Sequence, residues 1–268
     1  MSDVSINRDL LTTCEQFLEA HEEHVSDYLD QYPETRVLEL PLDELRDYSS
    51  ELATDWRNYP EQVTNHLAQA ITTFVGDESP VPESTTVRIT GFDSGRVYDV
   101  GQYRPDDVAD RLIHIRGQVT KRSKRKLRDE TVAFECQRCG RFTYMPQSGN
   151  SLQRPHECAG CERQGPFKIN DRETTMRDFQ HIRLQTLPEE SERGDTEMID
   201  MQVFDDLVGE LNPGDRAVLN VVMHARRIND DSLERELEGR VRSITKLSGD
   251  TSDVDVEPYR EDIEEIAN

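Results

Sequence analysis

The sequence predicts an α+β multidomain protein, in which a helical bundle precedes a curled antiparallel β-barrel that carries a cysteine-rich insertion. Apolar residues recur at helical spacing up to residue 75 and alternate at strand spacing from residue 87. Two C-x2-C pairs then interrupt the strand pattern. At roughly 100–200 residues per domain, the 268 residues suffice for one large or two to three small domains.

The N-terminal part, residues 1–80, is predicted to be an acidic helical bundle. Apolar residues at every third or fourth position indicate an amphipathic helix over 7–32, with Cys14 as a thiol on its buried face. Two further helices are expected at 42–58 and from Pro60, because proline favours the first turn of a helix. Proline, serine and acidic residues that follow, up to residue 86, predict a linker.

Residues 87–248 are predicted to form a small barrel of the OB type. Strand-like alternation occurs at 87–89, 112–116, 131–134, 179–185, 198–203, 217–223 and 237–247. A short helix is expected over 205–211. About five curled antiparallel strands with one short helix are typical of an OB fold, a common platform for single-stranded nucleic acid. The acidic residues 249–268 are predicted to be a further linker.

The cysteine pattern predicts a structural zinc ion. The two C-x2-C pairs are separated by 18 residues, a spacing typical of zinc ribbons. The four expected ligands are Cys136, Cys139, Cys158 and Cys161. Because four thiolates close the coordination sphere, catalysis by the metal is not expected. We predict one Zn²⁺ per chain, in a ribbon over 134–168 that is inserted between barrel strands.

Other interpretations of these cysteines fit less well. A redox pair needs a single C-x2-C, and two disulfides need an exported protein, whereas the N-terminus shows no secretory signal. Gly140 and Gly160 are expected to give the two cysteine turns their backbone freedom. His156 lies close by in sequence and is interpreted as a bystander.

The composition excludes a membrane helix and has an unusual balance of charged residues, which is typical of proteins that work at high salt. The formal net charge is −23, and the 32 basic residues comprise 27 arginines and five lysines. Many carboxylates with little lysine are typical of proteins from extreme halophiles, in which acidic surfaces stay hydrated at high salt. An acidic mesophilic protein is the alternative. The longest charge-free apolar stretch has nine residues, at 217–225, whereas a membrane helix needs about 20.

Basic residues are concentrated in one part of this acidic chain. Residues 111–183 carry a net charge of +8, whereas residues 1–110 carry −17. Eight arginines and lysines fall within 111–128, with no acid among them. Phosphate neutralisation explains such a cluster better than a solvated basic loop does. We therefore expect this block to bind nucleic acid.

Four segments resemble one protein family in both order and spacing. They are IRGQVTKRS at 115–123, FECQRCG at 134–140, DFQHIRLQ with LPE at 178–189, and DDLV with PGDR at 205–216. Over residues 5–268 the chain resembles the N-terminal region of archaeal MCM (minichromosome maintenance) replicative helicases. The resemblance implies a hexamer or double hexamer that encircles DNA, single-stranded or double-stranded, and works with other replication proteins. It also implies a cytoplasmic, nucleoid-associated location.

The resemblance further implies DNA contacts from three parts of the chain. These are the turn after the first barrel strand, the strand after the ribbon, and the last hairpin, which in the family points into the ring channel. The corresponding residues are Lys121, Arg122, Lys124, Arg125, Lys126, Arg183, Arg226, Arg227 and Arg235. The hairpin tip, Asn229-Asp230-Asp231-Ser232, departs from the family pattern because it is short and acidic. The aromatic residues expected in ribbon and barrel cores, rather than against bases, are Phe134, Phe142, Tyr144, Phe167 and Phe179.

No phosphate-binding loop of the form G-x-x-x-x-G-K-[ST] occurs in the chain. We therefore expect no enzymatic activity from these residues. ATP would bind only in a motor domain outside this sequence, which would make the chain a fragment or a short form of a helicase. Two alternatives stay open. One is a stand-alone zinc-ribbon and OB protein that binds single-stranded DNA or acts in transcription; the other is an architectural assembly module whose DNA contact is incidental.

Overall fold

The structure is a computed structural model that describes residues 2–75, 85–147, 151–190, 196–229 and 232–247. Most of the first predicted linker, both aspartates of the hairpin tip and the predicted acidic tail lie outside the described residues. Within them, no helix is both long and apolar enough to cross a membrane. Helices dominate up to residue 75 and strands dominate from residue 86 onward, as the predicted fold class requires.

The N-terminal helices are α1 (Ser2–Ala20), α2 (Glu22–Gln31), α3 (Leu42–Tyr48), α4 (Ser50–Asn58) and α5 (Pro60–Val75). The helix predicted over 7–32 is divided at His21, whose φ is −125° and whose Nδ1 lies 2.9 Å from the Phe17 carbonyl oxygen. The helix predicted over 42–58 is divided at Ser49, which is extended and accepts a hydrogen bond from the Leu52 N–H as an N-cap. Apolar spacing does not reveal either break, because both arise from local backbone bonding.

The helical core extends onto the barrel. Cys14 and Phe17 are fully buried, which confirms the predicted core thiol, and burial raises the pKa of Cys14 to about 12. The same core includes Trp56 of α4 together with Leu112 and Val222, which belong to barrel strands. Large apolar side chains stabilise by about 1.5–3 kcal/mol each when they are fully buried. The helices are therefore held on the barrel surface largely by shared apolar packing.

A parallel strand pair links the two ends of the helical part, since β1 (Val37–Pro41) pairs with β2 (Thr86–Thr90). A four-residue helix, α6 (Pro105–Val108), precedes the barrel strands. The other strands are β3 (Val97–Asp99), β4 (Leu112–Arg122), β5 (Lys126–Cys136), β6 (Phe142–Pro146), β7 (Phe167–Ile169), β8 (Thr175–Gln185), β9 (Met198–Phe204), β10 (Arg216–Arg227) and β11 (Arg235–Lys246).

Five strands close into a ring. In the order β4, β10, β11, β9, β8, each strand pairs with the next, and β8 pairs back to β4. These pairings are antiparallel except that of β9 with β11. The inward-facing side chains are buried, among them Ile115, Leu184, Met201, Leu219 and Val241. This ring is the OB-type barrel that the sequence predicts. The cysteine insertion follows β5, which pairs with β8 outside the ring.

The helix predicted over 205–211 is wrong. The segment forms a single 3-10 turn, Asp205–Leu207. Asp205 and Gly209 have φ of 54° and 93°, which are incompatible with a right-handed helix at either end of the segment. Aspartate and glycine both tolerate this backbone region, so the chain turns here instead of continuing as a helix.

A buried arginine fastens the helical part to the barrel. Arg88 on β2 is 9% exposed, and its Nη1 and Nη2 donate to the two carboxylate oxygens of Asp206 at 2.6 and 2.7 Å. Nη1 also donates to Glu39 at 3.2 Å, and Nε donates to the Arg242 carbonyl oxygen at 3.2 Å. Such a bidentate fork is directional. It therefore fixes β2, and with it the helices, against the turn after β9 and against β11.

Candidate metal centre and nucleic-acid interface

The two cysteine turns share one backbone pattern. In the first, the Gly140 N–H donates to the Cys136 carbonyl oxygen at 2.8 Å; in the second, the Glu162 N–H donates to the Cys158 carbonyl oxygen at 2.9 Å. Gly140 and Glu162 both have positive φ, of 72° and 55°. The prediction for Gly140 is thus confirmed.

The prediction for Gly160 is wrong, because Glu162 occupies the left-handed position of the second turn. Gly160 matters for a different reason: a Cβ at this position would lie 2.3 Å from Cδ of Arg141. The absence of a side chain lets the two turns approach each other. The Gly160 N–H also lies 3.3 Å from the Cys158 sulfur, to which it donates.

The four cysteine sulfurs fit a tetrahedral metal ion. They lie within 4.8 Å of one another, with 3.8 Å between Cys136 and Cys161 and 3.6 Å between Cys139 and Cys158. A tetrahedron with metal–sulfur bonds of about 2.3 Å has edges of about 3.8 Å. These separations are too long for disulfides, whose S–S bond is about 2.05 Å. The arrangement can therefore hold one four-coordinate ion, and exposed His156 lies outside it.

Backbone hydrogen bonds favour the thiolate at Cys158. The backbone N–H groups of Cys161 and Gly160 lower the pKa of Cys158 to about 6. The Arg141 backbone N–H has the same lowering effect at Cys139, but desolvation and hydrogen bonds with the other three cysteines outweigh it and raise the pKa of Cys139 to about 11. Thiolates, rather than thiols, are the metal-binding form of cysteine. The donor set thus suits a soft or borderline cation such as Zn²⁺.

The metal centre begins at the end of β5, the strand that pairs with β8 of the barrel. Cys136 is the last residue of β5 and lies opposite Phe167 of β7. Phe134, fully buried, packs edge-on against the Phe167 ring at 6.4 Å between centroids. The prediction that Tyr144 belongs to the ribbon core is wrong, because its side chain is 52% exposed on β6. Phe179 is 6% exposed and belongs to the barrel, as expected.

The predicted basic turn is exposed, and hydrogen bonds fix its backbone to β8. The exposed residues are Lys121, Arg122, Lys124, Arg125 and Lys126, at the connection of β4 to β5. Ser123, in their midst, donates its N–H to the His181 carbonyl oxygen at 2.8 Å and accepts the His181 N–H at 3.0 Å. The Gln180 side chain also donates to the Ser123 carbonyl oxygen at 2.7 Å. The turn is therefore pinned to β8.

Arg183 joins this basic turn but does not add a free charge. It lies directly opposite Lys121 in the pairing of β4 with β8. Its guanidinium makes a bidentate contact with Asp200 at 2.7 and 2.8 Å, and this contact lowers the pKa of Asp200. Asp200 is a site residue that the sequence analysis missed; the pairing of β8 with β9 would have indicated it, since the two residues lie opposite each other.

The hairpin arginines lie at the other end of the barrel. Along β10, Arg216 lies opposite Gln118 and Val222 opposite Leu112, so the following residues extend away from Lys121. Arg226 pairs with Glu238 at 2.9 Å. Arg227 and Arg235 lie opposite each other and donate to carbonyl oxygens of Ser232 and Ala225 at 2.6 and 2.8 Å. The structure thus gathers the nine predicted DNA-contacting residues into two groups rather than one.

Comparison with known proteins agrees with this architecture. The family of MCM OB domains matches residues 104–227. DNA replication licensing factor mcm2 of Xenopus laevis is 34% identical over 96 residues, which are 35% of this chain and 11% of that protein. The Mcm2 licensing factor of Drosophila melanogaster is 33% identical over 87 residues, or 31% of this chain and 10% of that protein. The chain spans about a tenth of the length of these relatives.

A solved structure shares the fold over most of the chain. The 1.8 Å crystal structure of the N-terminal domain of an archaeal MCM gives a TM-score of 0.75 at 21% identity, over 90% of this chain and 99% of that one. The family match contains four of the five ring strands, β4, β8, β9 and β10, together with the cysteine insertion. The structural match covers more of the chain than this segment. Residues 104–227 therefore match the MCM OB domain, and the chain shares its fold with the N-terminal domain of an archaeal MCM.

Proposed function

We propose that this chain is the DNA-binding and hexamer-organising N-terminal region of a replicative MCM DNA helicase. It encircles DNA with the basic face of its barrel and with its last hairpin. The observation that carries the proposal is the exposed basic turn, pinned to β8 by Ser123 beside Arg183. A turn that is already ordered loses little conformational entropy when it binds. The proposed organisation is a bundle at 1–80, a barrel at 87–248 with a ribbon at 134–168, and a linker at 249–268.

An acidic chain has to hold DNA by contacts at short range. With a net charge of −23 it gains no long-range attraction, and at molar salt the Debye length falls to about 3 Å. Arg122 and Arg125 can bind phosphate oxygens through two parallel N–H donors, which an ammonium group cannot do. Phe134 and Phe179 are buried and cannot stack on bases. Phosphate contacts are therefore the main source of affinity in this proposal.

Zinc has a structural part in the proposed function. When bound, Zn²⁺ would supply folding energy to the ribbon through the thiolates of Cys136, Cys139, Cys158 and Cys161. ATP hydrolysis and unwinding would belong to a motor domain, with other replication proteins as further partners, in the cytoplasm and at the nucleoid. A halophilic origin accounts for the arginine-rich, lysine-poor composition.

Replacing two residues of the basic turn tests the proposal. Lys121→Ala with Arg122→Ala should weaken binding of a labelled single-stranded oligonucleotide about fivefold or more. Arg36→Ala with Arg46→Ala is the matched control, because it removes the same charge from exposed residues of the helical part. Fluorescence anisotropy across a KCl series measures affinity, and light scattering measures the molar mass of the oligomer. Arg226→Ala with Arg227→Ala tests the hairpin in the same assays.

The outcomes separate the competing functions. Weakened binding with an unchanged hexamer mass supports the proposal. Unchanged affinity with a smaller oligomer would contradict DNA binding by the turn and favour the architectural module. A monomer that still binds single-stranded DNA would favour the stand-alone binding protein.

A further inference from the structure

A second group of arginines lies on the outer face of the barrel, beginning at Arg128, two residues beyond Lys126 of the basic turn. The guanidinium carbons of Arg240, Arg177 and Arg128 lie 4.5, 4.6 and 5.8 Å from the centroid of the Phe204 ring. Arg128 also lies 5.0 Å from the centroid of Phe179. We call Arg128, Arg177, Arg240 and Phe204 the Phe204 cluster. A planar guanidinium held over an aromatic ring is attracted to its face and loses rotational freedom.

Strand register brings these side chains together. Arg128 on β5 lies directly opposite Arg177 on β8, and Phe179 lies opposite Phe204 on β9. On β11, Arg240 lies opposite the residue two positions before Phe204. Like charges directly opposite each other destabilise a sheet. The cluster therefore carries an electrostatic cost that a bound anion would offset.

Nearby carboxylates neutralise the cluster unevenly. Arg177 is well paired, with a bidentate contact to Asp205. Among the described residues, Arg240 pairs with Glu61 at 3.8 Å, and the same Glu61 oxygen lies closer to Arg242, at 2.5 Å. Glu61 is thus shared between two guanidinium groups.

The cluster faces an open cleft. Arg128, Arg177 and Arg240 border a cavity of about 670 Å³. Its wall also includes Arg226 and four carboxylates, those of Glu61, Asp110, Asp129 and Glu130. Burial, with repulsion from Arg242 and Arg177, lowers the pKa of Arg240 to about 10. Burial and repulsion from Arg226 also lower the pKa of Arg128. These groups repel one another and leave room for a ligand beside them.

We propose that the Phe204 cluster is a phosphate-binding site, which takes a phosphate of a DNA strand or of a free polyphosphate. Guanidinium groups bind phosphate oxygens bidentately, and stacking on Phe204 would keep their N–H edges oriented towards the cleft. Phe204 is 7% exposed and Phe179 6%, so neither ring is available to stack on a base. The cluster is thus suited to a phosphate group rather than to a nucleobase.

If the phosphate belongs to DNA, the inference rests on the proposed function and extends it. Arg183 and Arg177 lie six residues apart on β8 and on the same face of it. At about 3.3 Å per residue this separation is about 20 Å. A single strand that contacts the basic turn could then continue to the Phe204 cluster within the four to 16 nucleotides, roughly, that OB folds occupy.

The test compares two double variants that remove the same charge. Arg128→Gln with Arg240→Gln removes two of the three positive charges of the Phe204 cluster but keeps side-chain hydrogen-bond donors at both positions. Arg96→Gln with Arg104→Gln is the control, since these side chains are 59% and 77% exposed and lie outside the cleft. The probes are a labelled oligonucleotide of about 16 nucleotides and inorganic tripolyphosphate. Circular dichroism melting checks that each variant is folded.

The expected result is weaker binding by the cluster variant alone. Its affinity for the oligonucleotide should fall about threefold or more. The slope of log affinity against log salt should decrease in magnitude by about 1.4, because two contacts to single-strand phosphates are lost. Weaker binding of tripolyphosphate alone would support the site and assign it to a free polyphosphate.

Other outcomes would overturn the inference. Unchanged binding of both probes, or an equal loss in the control variant, would exclude a specific phosphate site. If Lys121→Ala with Arg122→Ala weakens oligonucleotide binding while the cluster variant does not, the proposed function stands and this inference fails. If the cluster variant does not fold, Arg240→Lys replaces it, because lysine keeps the charge but lacks the bidentate fork. Its affinity for the oligonucleotide or for tripolyphosphate should then fall while the salt slope stays unchanged, and unchanged affinity for both probes would overturn the inference.

Discussion

Removing either partner of the Arg88–Asp206 contact should destabilise the protein, but by unequal amounts. The Arg88 side chain is 9% exposed, whereas that of Asp206 is 46% exposed. Arg88→Met keeps the aliphatic packing and leaves two carboxylates, Asp206 and Glu39, that water can reach. Asp206→Ala leaves a buried guanidinium whose remaining carboxylate is Glu39 at 3.2 Å. Asp206→Ala should therefore lower the free energy of unfolding more than Arg88→Met does.

The exposed fractions of the two side chains determine how much free energy of unfolding each variant should lose. Hydrogen bonds to charged groups contribute about 1.5–3 kcal/mol, and solvation of the half-exposed Asp206 recovers part of this, so Arg88→Met should cost about 1–2 kcal/mol. Asp206→Ala should cost about 3 kcal/mol, the lower end of the range for breaking a buried ion pair. The double variant should cost less than the sum of the two, with a coupling free energy of about 1–2 kcal/mol.

Urea unfolding monitored by circular dichroism measures these free energies, at fixed KCl. Arg46→Met is the control, because its exposed contact with Asp43 should contribute less than about 0.5 kcal/mol. A loss from Arg88→Met equal to or larger than that from Asp206→Ala would refute the reasoning from burial. Additive losses would show that the two residues do not act as a pair.

Three further predictions concern the metal, the DNA interface and pH. Cys158→Ser should abolish binding of one equivalent of zinc by elemental analysis and remove amide-exchange protection from β6 but not from β10; Cys14→Ala should retain the metal. Asp200→Asn should free Arg183 and tighten single-strand binding in the anisotropy assay; unchanged or weaker binding would mean that Asp200 mainly orients Arg183. His114 is 3% exposed, with Nδ1 2.6 Å from the Asn220 amide oxygen, and burial lowers its pKa. Because the unfolded chain then takes up the proton first, stability should fall as pH drops below about 6.5. His114→Gln should reduce that dependence in urea titrations run across pH.

Several features follow from local sequence and were predictable. The cysteine spacing predicts the metal centre because two short turns each bring a pair of sulfurs to one ion. The helix start at Pro60 also follows from a local signal. The buried run in β10 is predicted by its apolar composition, since the strand lies inside the barrel on one face and under the helices on the other.

Other features depend on contacts between distant segments. Arg183 is basic in sequence, but Asp200 neutralises it through the pairing of β8 with β9. Arg128 and Arg177 are 49 positions apart in the chain and meet only through strand register. The left-handed Glu162 repeats the backbone of Gly140 without the glycine that would have indicated it. Register and turn geometry are set by the whole fold, so single-sequence patterns do not reveal them.

Closure of the barrel also restricts how copies of this chain can associate. Each strand of the ring has both of its hydrogen-bonding sides at least partly occupied by neighbours, so the ring offers little open backbone for adding a strand. Among the described strands of the larger sheet, β3, β6 and β7 each pair with a single neighbour. Edge-to-edge growth, the usual route to uncontrolled aggregation of β-proteins, is thereby limited to short segments. Contacts between neighbouring copies would instead depend on side chains, whose charges respond to salt.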